Sequence, residues 1–104
     1  MEQVMQKPWA FDIPPDAVVV TTTYVTRDGY PILYVTHEYD EEEGVIWQFH
    51  CGNGVYEPHV LQLVRLDEIL ELDRSIADLA QLPLGFCAKR TNVKEKWTTA
   101  KEEL

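Results

Sequence analysis

Three histidines (His37, His50 and His59) and two cysteines (Cys51 and Cys87) are the soft metal ligands and nucleophiles of this chain. A zinc site needs four convergent ligands, usually in close pairs such as C-x2-C or H-x3-H. That spacing is missing, because His50 and Cys51 are adjacent and on a strand would point to opposite faces. His37 and His50 fall on two strands that read as paired, so they could meet across a sheet. Ordinary half-exposed strand positions account for them better, since the ligand spacing is missing, and no metal site is assigned. Neither cysteine stands at a predicted helix N-terminus, where a thiolate would be stabilised. Both read as reduced thiols packed as small hydrophobes. The one serine, Ser75, lies in the first turn of a short predicted helix, a capping position. No G-x-S-x-G elbow, phosphate-binding loop or dinucleotide fingerprint occurs. The chain is therefore read as non-enzymatic, without catalytic, cofactor or metal residues.

What remains is the run HEYDEEEG, residues 37–44, with Glu38, Asp40, Glu41, Glu42 and Glu43. It lacks the D-x-[DN]-x-[DN]-G order of a calcium loop. Solvated carboxylates on a loop also keep ordinary pKa values and make poor general acids. Two readings survive: a solvated hairpin tip, or a patch facing Lys and Arg on a partner, which would mainly speed association. Tyr24, Tyr30, Tyr34 and Tyr56 fall on or near turns and on the sheet face expected to stay uncovered. Tyrosine is favoured at interfaces because it joins apolar area to a hydroxyl. The candidate partner-binding set is thus Glu38, Asp40, Glu41, Glu42, Glu43, Tyr34 and Tyr56.

The elements that must position these residues follow from length and pattern. A chain of 104 residues is sized for one domain. Residues 1–16 read as an irregular arm, since Pro8, Pro14 and Pro15 block regular pairing. Its alternating Trp9, Phe11 and Ile13 suit a groove of the domain. Residues 17–51 read as an antiparallel β-meander. AVVVTTTYVT (17–26) is rich in β-branched side chains, and Asp28-Gly29 signals a hairpin into PILYVTHEY (31–39). There Tyr34, Thr36 and Glu38 share one face with Ile32, opposite Leu33, Val35 and Tyr39. VIWQFHC (45–51) sets Val45, Trp47, Phe49 and Cys51 on one face and Gln48 and His50 on the other.

After the turn residues GNGVYEP (52–58) the period becomes helical. Residues 66–82 read as two short helices, the first capped by Asp67, the second by Asp73, with Pro83 as the stop. Residues 84–90 read as a strand with Leu84, Phe86 and Ala88 on one side. Residues 92–104 read as an amphipathic helix: Asn92 and Glu95 resemble a capping box, and Val93, Trp97, Ala100 and Leu104 recur at helical spacing. The fold class is α+β: a single antiparallel sheet, a three-stranded meander plus a later strand, with short helices packed on one face.

The net charge of -9 repels a phosphate backbone and argues against nucleic acid. Residues 89–104 are the exception, five cations against three carboxylates. No apolar run approaches the roughly 20 residues of a membrane span, and MEQVMQKPWAF contains no secretory signal. A cytoplasmic protein is expected, binding neither membrane nor nucleic acid.

Gly29-Tyr30-Pro31-Ile32-Leu33-Tyr34-Val35, then Gly44-Val45-Ile46-Trp47-Gln48-Phe49, then Leu66–Arg90 with its D-x-S-I…L-P-x-G-x-x-A-x-R pattern form a familiar run. It resembles the bacterial domain of unknown function 2185 family, grouped with immunity protein 33-like proteins of polymorphic toxin systems. Trp47, Asp73, Pro83, Gly85 and Arg90 carry most of the likeness, which spans about two thirds of the chain. The resemblance implies a binding role and brings no catalytic residue. Two functions follow as expectations. One is an acidic protein-binding module, such as an immunity-like inhibitor of a cationic toxin. The other is a small-ligand-binding or regulatory domain acting as a homodimer through its open sheet face.

Overall fold

The structure is a computed structural model and describes residues 9–102. Its frame is one mixed sheet of six strands: β1 (Val18–Thr22), β2 (Tyr34–Asp40), β3 (Gly44–His50), β4 (Leu61–Arg65), β5 (Phe86–Lys89) and β6 (Thr98–Lys101), in the order β4-β1-β3-β2-β5-β6. Two short helices, α1 (Thr23–Thr26) and α2 (Leu66–Leu72), and 3-10 turns at Pro58–Val60 and Arg74–Leu79 complete it. The α+β class expected from the pattern is therefore present.

The β2–β3 hairpin forms in the register that the alternation predicts, with Val35 opposite Phe49 and His37 opposite Trp47. The first hairpin does not form. β1 runs parallel to β3, with Val20 beside Gln48, so β3 lies between β1 and β2 and the sheet is no antiparallel meander. The cause lies in Thr23–Thr26, which wind into α1 instead of extending β1. Residues 23–33 then become a link long enough to pass one strand, about twice the ~4.8 Å spacing that a tight hairpin spans. This link buries Val25 and Ile32 over the end of the sheet. That burial outweighs the β-propensity of a Thr- and Val-rich run, which is a weak preference wherever packing decides.

Two further expectations are corrected. The amphipathic helix over 92–104 is absent. Asn92 Oδ1 accepts from the Lys94 amide, but Glu95 Oε1 accepts from the Thr91 amide and hydroxyl and not from the Asn92 amide that a capping box requires. No helix follows, because Trp97 turns back onto the Arg90 guanidinium, 4.0 Å from its ring, and Thr98–Lys101 pair with β5. Leu104, the last of the predicted helical stripe, lies outside the described residues. β4 lies in residues to which the sequence pattern assigns no element, and it pairs antiparallel with β1. Asp67 does not cap α2: the Glu68 carboxylate accepts the Arg65 amide there. Asp73 does cap the next turn, accepting from the Ser75 amide at 2.9 Å.

One sheet face carries the core. Val19, Val35, Trp47, Phe49 and Ala88 meet Leu66 and Ile69 of α2 and Ile76 and Leu79 of the following 3-10 turn. Phe11 of the arm closes this core with its ring 5.2 Å from Trp47, edge on, which fits the groove expected for that segment. Residues 1–8 of the predicted arm lie outside the described residues. Under the core's far edge, Arg90 donates to the Ile32 carbonyl, Ser75 Oγ and Asp73 Oδ2, with its side chain 1% exposed.

Candidate functional site

Strand alternation sends Tyr34, Thr36 and Glu38 to the face opposite the core, and the register assembles their neighbours in rows. Tyr34 stands between His50 on β3 and Lys89 on β5. Thr36 stands between Gln48 and Cys87, and Glu38 lies beside Ile46. β6 adds Glu102 just past its end, where the Glu102 amide donates to the Gly85 carbonyl. Among the described residues no helix covers this face, and the loop after β3 folds back over it, setting the Tyr56 ring edge on to His50 at 4.5 Å.

A chain of polar contacts crosses the face. His50 Nε2 is 2.8 Å from Gln48 Oε1, and Gln48 Nε2 donates to Glu38 Oε1 at 3.2 Å. The Glu38 and Glu102 carboxyls lie within hydrogen-bonding reach of one another, and Tyr34 Oη donates to Glu102 Oε2 at 3.1 Å. Burial first, then the Glu102 carboxylate, raises the Glu38 pKa. Among the described residues neither carboxylate belongs to an ion pair. Burial, reinforced by Glu102, also raises the Tyr34 and Cys87 pKa values, so the phenol stays a donor and Cys87 a thiol. Such a thiol is a weak nucleophile.

His50 is 3% exposed, and burial lowers its pKa to about 4. With Nε2 donating to Gln48, Nδ1 is left as an acceptor without a partner in the protein. His37 does not meet it. It faces the core side, stacked on Trp47 at 4.0 Å with Nδ1 2.8 Å from the Leu82 carbonyl, because an odd and an even position on paired strands point apart. His59 sits far along the chain on an exposed turn beside Glu57. No group of three or more metal-binding side chains is assembled among the described residues. Cys51 and Cys87 are both free and buried.

The seven residues singled out from sequence divide into two sets. Tyr34, Glu38 and Tyr56 belong to this face, Tyr34 and Tyr56 lining a groove of about 740 Å3 with Leu33, Gly52 and Lys89. Asp40, Glu41, Glu42 and Glu43 form the exposed hairpin tip beyond it. Asp40 is structural there: its Oδ1 accepts the Glu42 and Glu43 amides at 2.7 and 2.9 Å, and those bonds, Glu43's first, lower its pKa. Sequence reasoning missed Glu102, Gln48 and Lys89. Glu102 was hidden by the helical reading of 92–104, although the β-branched pair Thr98-Thr99 was a strand signal.

The topology also gathers acid at one end of the sheet. β1 and β3 start there and β2, β4 and β6 finish there, which brings Asp16, Asp67 and Glu68 to the same end as Glu38, Glu102 and the hairpin tip. No helix among the described residues is long and apolar enough to cross a membrane. No family model, curated protein or solved structure matches the chain.

Proposed function

We propose that this protein is a non-enzymatic binding module whose acidic sheet end receives Lys or Arg side chains of a cationic protein partner. One observation carries the reading: Glu38 and Glu102 are held together, partly buried, on a face without a helix over it. Two like charges so placed cost folding energy. Groups that a protein retains against its own stability are a mark of function. A partner's guanidinium seated between them would reverse the cost, and the Tyr34 ring beside them offers apolar contact. The exposed acids Glu41, Glu42 and Glu43 extend the same field outward and would steer a cationic partner in. The sequence resemblance names the kind of partner, a basic toxin that an immunity-like inhibitor would block.

The test pairs binding with stability. Calorimetry would measure the wild type and a Glu38→Gln/Glu102→Gln variant against the product of a toxin-like reading frame encoded beside this one. The double variant should bind at least about tenfold more weakly, a loss of ~1.4 kcal/mol. At pH 7 Glu38→Gln alone should melt higher than the wild type. The sign follows from its raised pKa: the folded state holds the proton more tightly, so stability falls as pH rises through that pKa, and Gln removes the penalty. No complex with any such neighbour, or a complex indifferent to both substitutions, overturns the reading.

A second reading has its own support. The groove of about 740 Å3 beside Tyr34, Tyr56 and Lys89 is within the size range of small-ligand pockets, roughly 300–1,000 Å3. A small-ligand or regulatory domain would bind there, and Tyr56→Ala would abolish its binding while sparing contacts at the acidic end.

A further inference from the structure

The two outer strands of the sheet differ in how they are protected. Exposed edges offer unpaired backbone groups to any other strand, and proteins normally blunt them with charge, proline or a covering element. β6 is blunted: Lys101 is in it, and Lys94, Glu95, Lys96 and Glu102 flank it. β4 is not. It pairs with β1 on one side and with no described strand on the other. Its sequence LQLVR is apolar apart from Gln62 and the terminal Arg65, and Arg65 is occupied by Asp67 at 2.7 Å. Leu63 is 69% exposed, Leu61 39% and the neighbouring Val18 66%. All three project to the face away from the core, where Leu63 lies beside the half-buried Val20. Of the amides facing away from β1, that of Leu61 donates to the Pro58 carbonyl and that of Arg65 to the Glu68 carboxylate, so among the described residues this side of the molecule carries an apolar strip whose open edge amide is that of Leu63.

Charge decides what fits it. Residues 17–27 and 58–66, which build β1, β4 and their flanks, contain no carboxylate in a chain of net charge -9. A cationic partner gains nothing on this strip, whereas an acidic protein meets least repulsion there. A second copy of this chain is such a protein. Antiparallel pairing of two β4 strands about a two-fold axis sets Leu61 and Leu63 of each copy against the same strand of the other. It also sends the two acidic ends to opposite extremes of the joined sheet, while parallel pairing would set them side by side. We infer that β4 is a homodimerisation edge, joining two copies antiparallel into one continuous sheet and leaving both acidic ends free.

Sedimentation velocity of the full chain across a wide concentration range tests this, with Leu63→Lys as the variant. The wild type should form a reversible dimer, and Leu63→Lys should weaken it at least ~tenfold by setting like charges across the axis. Since Leu63 is 69% exposed, the circular dichroism of the variant should match the wild type; Leu61→Lys is a second variant with the same expectation. Thr99→Lys on the other edge should leave the dimer intact. Hydrogen exchange should show the Leu63 amide, and not the amides of β6, gaining protection as concentration rises. Salt separates this inference from the acidic binding site: screening should tighten a dimer of two anions and loosen a complex with a cation. A monomer at every concentration, or a dimer unchanged by both lysine variants, overturns it.

Discussion

His50 shows how much one side chain's surroundings change its chemistry. An ordinary histidine gains charge near pH 6.5, whereas burial keeps this one neutral down to about 4. Between those values the unfolded chain holds a proton that the folded chain refuses, so stability falls as pH drops through the window. The stability this contributes is fully present above the unfolded pKa and is lost on acidification toward 4. Urea unfolding at stepped pH should show this slope, and His50→Leu should flatten it. Glu38 contributes with the opposite sign near its own raised pKa, so the slope is cleanest in the Glu38→Gln background. The partnerless Nδ1 is a separate cost to the folded state at neutral pH, about 1–3 kcal/mol for a buried acceptor without a donor.

At the scale of elements, the β2–β3 hairpin is two things joined. Its turn is built by Asp40, which ties the amides of Glu42 and Glu43 to one carboxylate oxygen, and by Gly44, whose φ of 84° suits glycine. Its charge is carried by Glu41, Glu42 and Glu43, whose side chains take no part in those bonds. Reversing these three to Lys should therefore leave the melting temperature nearly unchanged. It should slow association with a cationic partner and make the rate less sensitive to salt, which stopped-flow measurement at several ionic strengths would read directly. Asp40→Ala is the contrasting change, loosening the turn that holds the strands in register.

For the whole molecule, the decisive tie is Arg90. From the end of β5 its guanidinium reaches the β1–β2 link at Ile32, the cap at Asp73 and Ser75, and the Trp97 ring of the last segment. Burial alone would raise the Asp73 pKa, but the bonds from Ser75 and Arg90 outweigh it and hold it low. Removing the guanidinium leaves the buried Ile32 carbonyl and the part-buried Asp73 carboxylate without their Arg90 bonds, at about 1–3 kcal/mol for each buried group left unsatisfied. Against a typical domain stability of roughly 5–15 kcal/mol, Arg90→Ala should lower the denaturant midpoint severely. Arg90→Lys should rescue little, because an ammonium cannot match the planar fork.

The sequence by itself determined the elements whose partners lie nearby in the chain. Alternation over 34–38 and 45–50 was enough to pair β2 with β3 across a short turn, and Asp73, Ser75 and Pro83 framed the second helical turn. That Asn92 and Glu95 would bond nearby backbone was also legible, because such hydrogen bonds close within a few residues, although Glu95 took Thr91 and not Asn92. What the tertiary structure alone decided involves long separations. Thr23–Thr26 leave the strand because Val25 and Ile32 find burial over the sheet's end. Thr98–Lys101 become a strand because β5 offers an edge and Trp97 an anchor on Arg90. Neither contact can be read from a local period. The candidate site shares this division: Tyr34 and Glu38 stood out in the sequence, while Glu102 joined them only when β6 took its place at the edge. The solvated tip DEEEG needed only its own residues to form, whereas the carboxylate pair behind it needed the whole sheet.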